Sequence, residues 1–208
     1  MAETVPEAHM ALPQQQSHDE NPRMTPEDYL AFDRSTEERY EYIGGRVYAM
    51  AGASEPHNLI VFNLSGQLYI QLRKRPCKAY VESMRVQAGK NYVYPDIVTL
   101  CNEAKFADGT FDTLTNPDVL FEVKSPSTEK HDAGSKFDLY RRIDTLQEYL
   151  LVSQDTPHIA HYVRQENGAW LPRDIVGLDG SLTIAALDVT LALADVYEKV
   201  AFLDEDEA

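Results

Sequence analysis

The sequence predicts one α/β (α+β) domain, a mixed central sheet flanked by helices, with an extra N-terminal helix and β-hairpin in front. Three observations predict it. The 208 residues, 43% hydrophobic and 25% charged, have the composition and length of a single globular core. A long run of helical period is followed by three strand-like runs, a second helix and a further strand. No internal repeat and no low-complexity segment interrupts that order.

Residues 1–23 mix Pro, Gln, Ser and acids without periodicity and are expected to be a disordered leader, because they bury too little apolar surface to offset ordering entropy. The single domain is expected over 24–198 and an acidic tail over 199–208. Thr25 before Pro26, Glu27 and Asp28 is a helix start: a hydroxyl cap, Pro in the first turn, and acids at the positive end of the dipole. That short helix runs to about Arg34. From Arg39 to Met50, Tyr, Ile and Val flank Gly44-Gly45, which supply the positive φ of a two-residue hairpin turn and set Glu41 opposite Tyr48.

Ser54 caps the longest amphipathic helix, whose apolar residues Leu59, Phe62, Leu64, Leu68, Tyr69 and Leu72 run to about Arg73. Strand-like runs follow at Ala79 to Val86, Tyr92 to Leu100 and Asp118 to Ser125. A second helix at about Ser135 to Arg142 leads to a strand at Glu148 to Val152. Ile159 to Arg164 and Ala169 to Leu171 flank Glu166-Asn167-Gly168 as another hairpin. Leu187 to Val196 closes the core.

Thirty-four acidic and nineteen basic residues give a net charge of −15, which excludes bulk electrostatic attraction to polyanions, so any nucleic-acid contact must be local. Two cysteines, Cys77 and Cys101, indicate neither a disulfide framework nor a zinc site, and a reducing cytoplasm fits. No apolar run of about 18 residues and no basic-then-apolar start is present, so no membrane role is expected. Phosphate-loop, dinucleotide and nucleophile-elbow motifs are absent.

In Val119 to Lys124, alternation sets Glu122 and Lys124 on the face opposite Val119, Phe121 and Val123. Alone, that reads as an amphipathic strand with a solvated Glu/Lys face. Asp96 shares a face with Tyr94, Val98 and Leu100, and Pro95 before it removes a ladder donor and belongs at a strand edge, start or bulge. An unpaired carboxylate there is costly if buried, so Asp96 either hydrogen-bonds a loop or serves a site. Two carboxylates on neighbouring strands with a lysine two residues on suit a hard cation such as Mg²⁺, which takes one or two carboxylates and can bridge to phosphate.

Pro95-Asp96 and Glu122-Val123-Lys124, in this order of elements, resemble the PD-(D/E)XK nuclease superfamily. The wider text resembles the Uma-two family of restriction endonucleases: Arg39-Tyr40-Glu41-Tyr42-Ile43-Gly44-Gly45-Arg46-Val47-Tyr48-Ala49-Met50, His57-Asn58, Tyr94-Pro95-Asp96, Glu122 to Thr128, and Lys136 to Arg142. The resemblance covers about Met24 to Tyr197. It implies a restriction-endonuclease-like core and metal-dependent DNA phosphodiester hydrolysis. Asp96, Glu122 and the Val123 carbonyl would be ligands of Mg²⁺, with Mn²⁺ as an alternative, and Lys124 the catalytic lysine.

Glu41 matches the family's hairpin acid and extends the site or pairs with a surface arginine. His57 opens the long helix as a water or phosphate contact or as a structural histidine. Lys136 reaches toward the scissile phosphate or is solvated. Gln147 lines the site or is a polar strand entry. Arg73, Lys74, Arg75 and Lys78, with Lys124, Lys130, Lys136, Arg141 and Arg142, are candidates to rim a DNA cleft on an acidic body. A homodimer follows from the need to cut both strands of a duplex. The rival reading is a non-catalytic binding or regulatory module that keeps the nuclease fold.

Overall fold

A computed structural model describes residues 22–50, 52–124 and 133–202. Most of the expected leader, the Ser125-Pro126-Ser127-Thr128 turns, Lys130 and most of the acidic tail lie outside the described residues. The tail expectation is corrected where residues are described, since Val200 and Phe202 pack on the core and the Tyr197 and Phe202 rings are 5.5 Å apart. At the other end Pro22 and Arg23 already belong to the fold, with Arg23 bridging Arg46.

The first helix, α1 (Pro26–Ser35), is capped by Thr25, whose hydroxyl accepts the Asp28 N–H. The hairpin β1 (Tyr40–Ile43) and β2 (Arg46–Ala49) turns on Gly44 and Gly45, both at positive φ, and pairs Glu41 with Tyr48 as expected. Helix α2 (Glu55–Leu72) starts at Ser54, whose hydroxyl accepts the His57 N–H and donates to Gln154 Oε1 at 2.7 Å.

Two runs read as single strands are each two. The first divides into β3 (Lys78–Val81) and β4 (Arg85–Ala88), the second into β5 (Asn91–Val93) and β6 (Ile97–Leu100). The breaks fall at Glu82, which has positive φ, and at Pro95, which has no ladder N–H. At both breaks the chain passes from one sheet to another. The remaining elements are β7 (Thr113–Leu114), β8 (Val119–Lys124), α3 (Ala133–Tyr140), β9 (Glu148–Ser153), β10 (His158–Arg164), β11 (Trp170–Val176), β12 (Ser181–Ile184), β13 (Val189–Ala192) and α4 (Leu193–Val196).

One sheet has the order β2-β1-β5-β4-β7 and a second β11-β10-β9-β8-β6-β3, with β8 and β9 parallel and the other neighbours in the second sheet antiparallel. The second sheet is therefore mixed. Its one face carries Ile97, Phe121, Val123, Leu150 and Val152 against Ile60, Val61, Leu64, Leu68 and Leu72 of α2 and against the β12–β13 hairpin. Its other face carries Val98, Leu100, Leu120 and Tyr149 against Val86 and Val93 of the first sheet and Tyr140 of α3. Tyr29, Tyr42, Val47 and Tyr92 join α1 to the outer face of the hairpin.

The expected core face of α2 is corrected in part. Leu64, Leu68 and Leu72 are buried, but Phe62 and Tyr69 are 75% and 68% exposed. Apolar residues occupy two sides of this helix, and periodicity alone cannot say which meets the sheet. The cysteine expectation is also corrected: Cys77 and Cys101 form a disulfide. They sit one residue beyond the Lys78–Leu100 pair of the antiparallel β3–β6 ladder, a proximity that their separation of 24 residues hides. Among the described residues no helix is long and apolar enough to cross a membrane.

Candidate active site

The β6–β8 ladder pairs Ile97 with Phe121 and Val98 with Leu120. Continued by one residue, it sets Asp96 opposite Glu122, on the face that also carries Val98 and Leu120. Directly opposed residues have Cβ atoms about 5 Å apart, so the crossover and the strand end bring two carboxylates together. One step further, Pro95 would oppose Val123. It has no N–H to give to the Val123 carbonyl, and the Val123 N–H instead donates to Asp96 Oδ2 at 2.6 Å. In an antiparallel pair a residue's N–H and C=O face the same neighbour, so the Val123 carbonyl lies toward the Asp96 side.

His57, in the first turn of α2, has Nε2 3.2 Å from Asp96 Oδ1. Burial lowers its pKa, but the Asp96 hydrogen bond and charge, with Glu122 and Glu82 beyond, outweigh that and leave it raised. Glu41 enters from β1: its Oε1 accepts the Tyr94 N–H at 3.1 Å and lies 3.1 Å from Lys136 Nζ. Lys136, on α3, is also 3.5 Å from Glu122 Oε1. Glu122 is buried at 8% exposure, and its Oε1 accepts the Tyr140 hydroxyl at 2.5 Å. Lys124, half-buried at the end of β8, follows Glu122 on the same face.

Burial pushes the Glu122 carboxyl up to about 8, the Asp96 and Glu41 carboxylates add to the rise, and the Lys136 ammonium opposes it. The Tyr140 hydroxyl is raised well above its ordinary value, first by burial and then by Glu122 and Glu41.

Asp96, Glu122, Glu41, His57 and Lys136 thus converge from the crossover before β6 and from β8, β1, α2 and α3, with Lys124 next to Glu122 on the same face of β8. Gln147 does not join them. Its side-chain Nε2 is 3.5 Å from Asp118 Oδ1 at the start of β8, four residues and about 13 Å of strand from Glu122. The run at the end of α2 does not rim this site either. Arg73 lies about 24 Å along the helix from His57 at 1.5 Å per residue. Arg75 instead donates to the Leu187 and Asp188 carbonyls, fastening the β12–β13 turn. Arg141 pairs with Asp138.

Tyr140 and Tyr94 are the site residues that sequence reasoning missed. Tyr140 stands four residues after Lys136, the spacing that sets both on one helix face, and that was the available signal. For Tyr94 the contributing group is a backbone N–H, which no side-chain pattern reports.

The donors here are carboxylate and carbonyl oxygens, and an ammonium already rests between Glu41 and Glu122. Both features fit a hard cation at this point. Among the described residues no three His, Cys, Asp or Glu side chains converge into a closed metal cage. Mg²⁺ does not need one, since it is held by one or two carboxylates and keeps several waters.

Residues 26–194 match the Uma2 family, described as "Putative restriction endonuclease". Two uncharacterized proteins of Synechocystis sp. are similar at 33% identity: sll1609 over 80% of this chain and 95% of its own length, and slr1290 over 87% and 95%. Among solved structures, one titled a "putative nuclease belonging to DUF820" from Anabaena variabilis superposes with a TM-score of 0.71. It covers 86% of this chain and 99% of its own length at 17% identity, a likeness of fold. With the family match running from α1 into α4 and covering all six of these site residues, the chain belongs to the Uma2 family.

Proposed function

We propose that this protein is a metal-dependent endonuclease that hydrolyses DNA phosphodiester bonds at the Asp96–Glu122 cluster. The observation that carries the reading is the opposed carboxylate pair on one sheet face, bordered by the Val123 carbonyl and two lysines. Asp96, Glu122 and that carbonyl would hold Mg²⁺ or Mn²⁺. When bound, the cation supplies Lewis-acid activation of water and neutralises developing charge on phosphate.

Lys124 orients the attacking water and offsets phosphate charge. Lys136 holds Glu41 and Glu122 in place in the metal-free protein and presents a second positive group to the phosphate. His57 fixes the Asp96 carboxylate through Oδ1, while the Val123 N–H fixes it through Oδ2. Lys124 and Lys136 present positive groups beside the carboxylates, and a bound cation would add the local positive charge that an acidic body needs to meet a polyanion. Cleavage of both strands of a duplex further favours a homodimer.

The test is cleavage of supercoiled plasmid and single-stranded DNA in low salt with Mg²⁺ or Mn²⁺, comparing wild type with Asp96→Ala and Lys124→Ala. A folded wild type that cuts nothing with either metal would sink the reading and leave a binding module in its place.

Two consequences follow for metal binding. The hydroxyl of Tyr140 orients a ligand without touching the metal, so Tyr140→Phe should weaken Mg²⁺ or Mn²⁺ affinity by about 10–100-fold. Titration calorimetry checks this, and unchanged affinity would remove Tyr140 from the site.

Burial raises the Glu122 carboxyl to about 8, so at neutral pH metal binding competes with a proton there and releases it. Apparent metal affinity should therefore rise with pH up to about 8, by at most about tenfold per unit for one proton. The same sign governs stability. A carboxyl raised in the fold binds more protons folded than unfolded, so the metal-free protein loses stability as pH climbs from the ordinary carboxyl range to about 8. Calorimetry in buffers of different ionisation enthalpy measures the released proton, and a binding curve independent of pH would contradict it.

A further inference from the structure

Helix α2 carries two stripes. Ile60, Val61, Leu64, Leu68 and Leu72 face the sheet. On the opposite side, Glu55, Leu59, Phe62, Gly66, Tyr69 and Arg73 recur at alternating spacings of four and three residues, the period of a helix-pairing seam. Among its apolar members Phe62 is 75% exposed and Tyr69 68%, with the flanking Ile70 at 62%, while Leu59 is half-buried. A run of large exposed hydrophobics along one helix is unusual on a monomer surface and marks an interaction site. Gly66 is exposed and carries no side chain, and an added Cβ there would meet nothing within 4 Å, so the seam is hollow at its middle only by the missing side chain between Phe62 and Tyr69.

We propose that this seam pairs with the α2 seam of a second copy of the chain, antiparallel about a two-fold axis at the level of Leu64. One register satisfies every seam position at once. Phe62 meets the hollow at Gly66 of the second copy, Leu59 meets Tyr69, and Glu55 meets Arg73, with each contact repeated by symmetry. Large therefore faces small and acid faces base. The antiparallel arrangement also sets the negative end of each helix dipole beside the positive end of the other. Glu55 and Arg73 are exposed and available for this pairing. The charge pattern selects the occupant: reversing one helix to a parallel pairing would set Glu55 against Glu55 and Arg73 against Arg73.

The pairing has a consequence for the site. His57 marks the acid-cluster end of α2, so the two clusters of a dimer stand toward opposite ends of a helix pair about 27 Å long. The inference supplies a surface for the homodimer of the nuclease reading, but its test reads mass alone and stands or falls separately from cleavage.

Light scattering on the full chain over the micromolar range should give twice the chain mass of 23.5 kDa. Gly66→Leu fills the hollow at an exposed helix position that favours Leu over Gly, so the fold is kept while association weakens at least about tenfold. Phe62→Asp should give the single-chain mass. Glu55→Arg and Arg73→Glu should each raise the dissociation constant about twofold to fivefold, and the two together should restore it. A wild type of single-chain mass throughout, or a Gly66→Leu dimer of unchanged affinity, overturns the pairing. Failure of the double charge exchange to restore affinity overturns its antiparallel register.

Discussion

Asp96→Ala is expected to lower metal-dependent DNA cleavage by on the order of 10²–10³-fold or more while leaving the protein folded. The carboxylate has three roles in one place. It opposes Glu122 across the sheet, accepts the Val123 N–H at 2.6 Å and faces His57 Nε2 at 3.2 Å. Removing it takes away one of two acidic ligands and frees the imidazole that oriented it. The fold survives because Asp96 lies at a crossover, with its side chain 13% exposed rather than packed in either core. Lys124→Ala should lose rate to a similar degree while retaining metal binding, since it bears on the water and phosphate rather than on the cation. Gln147→Ala, at the far end of β8, should cut at the wild-type rate. Rates are read as plasmid nicking and linearisation with folding checked by circular dichroism, and equal cutting by Asp96→Ala and wild type would refute the assignment.

The largest stability effect is expected at Arg85. This side chain is 2% exposed, and it joins α1, β4, β7 and the crossover strand. Its Nη1 donates to Asp33 and to the Tyr94 hydroxyl, Nε donates to Thr113 Oγ1 at 2.8 Å, and Nη2 lies 2.8 Å from Asp112 Oδ2. Tyr94 in turn donates to Asp33 at 2.5 Å. Arg85→Met leaves the Asp33 carboxylate buried without its cation, a loss of about 3–5 kcal/mol. For a chain of this size that corresponds to a fall in Tm of roughly 10 °C.

Asp33→Asn added to Arg85→Met should recover part of the loss, because no charge remains buried and an amide oxygen still accepts the Tyr40 N–H. Urea unfolding gives the measurement, and a single-variant loss below about 1 kcal/mol would mean that the pair is solvated in solution. The same network holds Tyr94, the residue before Pro95-Asp96, and the Tyr94 N–H holds Glu41. Arg85→Met should therefore also weaken metal binding from a distance.

Much of this architecture is legible in local patterns. The Thr25 and Ser54 caps, the Gly44-Gly45 turn with Glu41 opposite Tyr48, and the placement of Glu122 opposite Val123 in β8 follow from hydrogen-bonding groups and periodicities that act within a few residues. The candidacy of Asp96 is legible for a related reason, since an acid beside a strand-breaking proline violates the local rule and such violations collect at sites, whereas Glu122 and Lys124 alone read as a solvated strand face and are joined to it by the family resemblance.

What the tertiary structure decided is everything that depends on register between distant segments. The splitting of two runs at Glu82 and Pro95, the meeting of Cys77 with Cys101, the exclusion of Gln147 and the inclusion of Tyr140 are consequences of which strand lies beside which. Likewise, both stripes of α2 are apolar enough to be core, and only the sheet beneath chose between them. The sequence by itself determined the kinds of element and the chemistry of the acids, because side-chain type and short spacing set those. Pairing and burial partners are long-range, and no short-range signal encodes them.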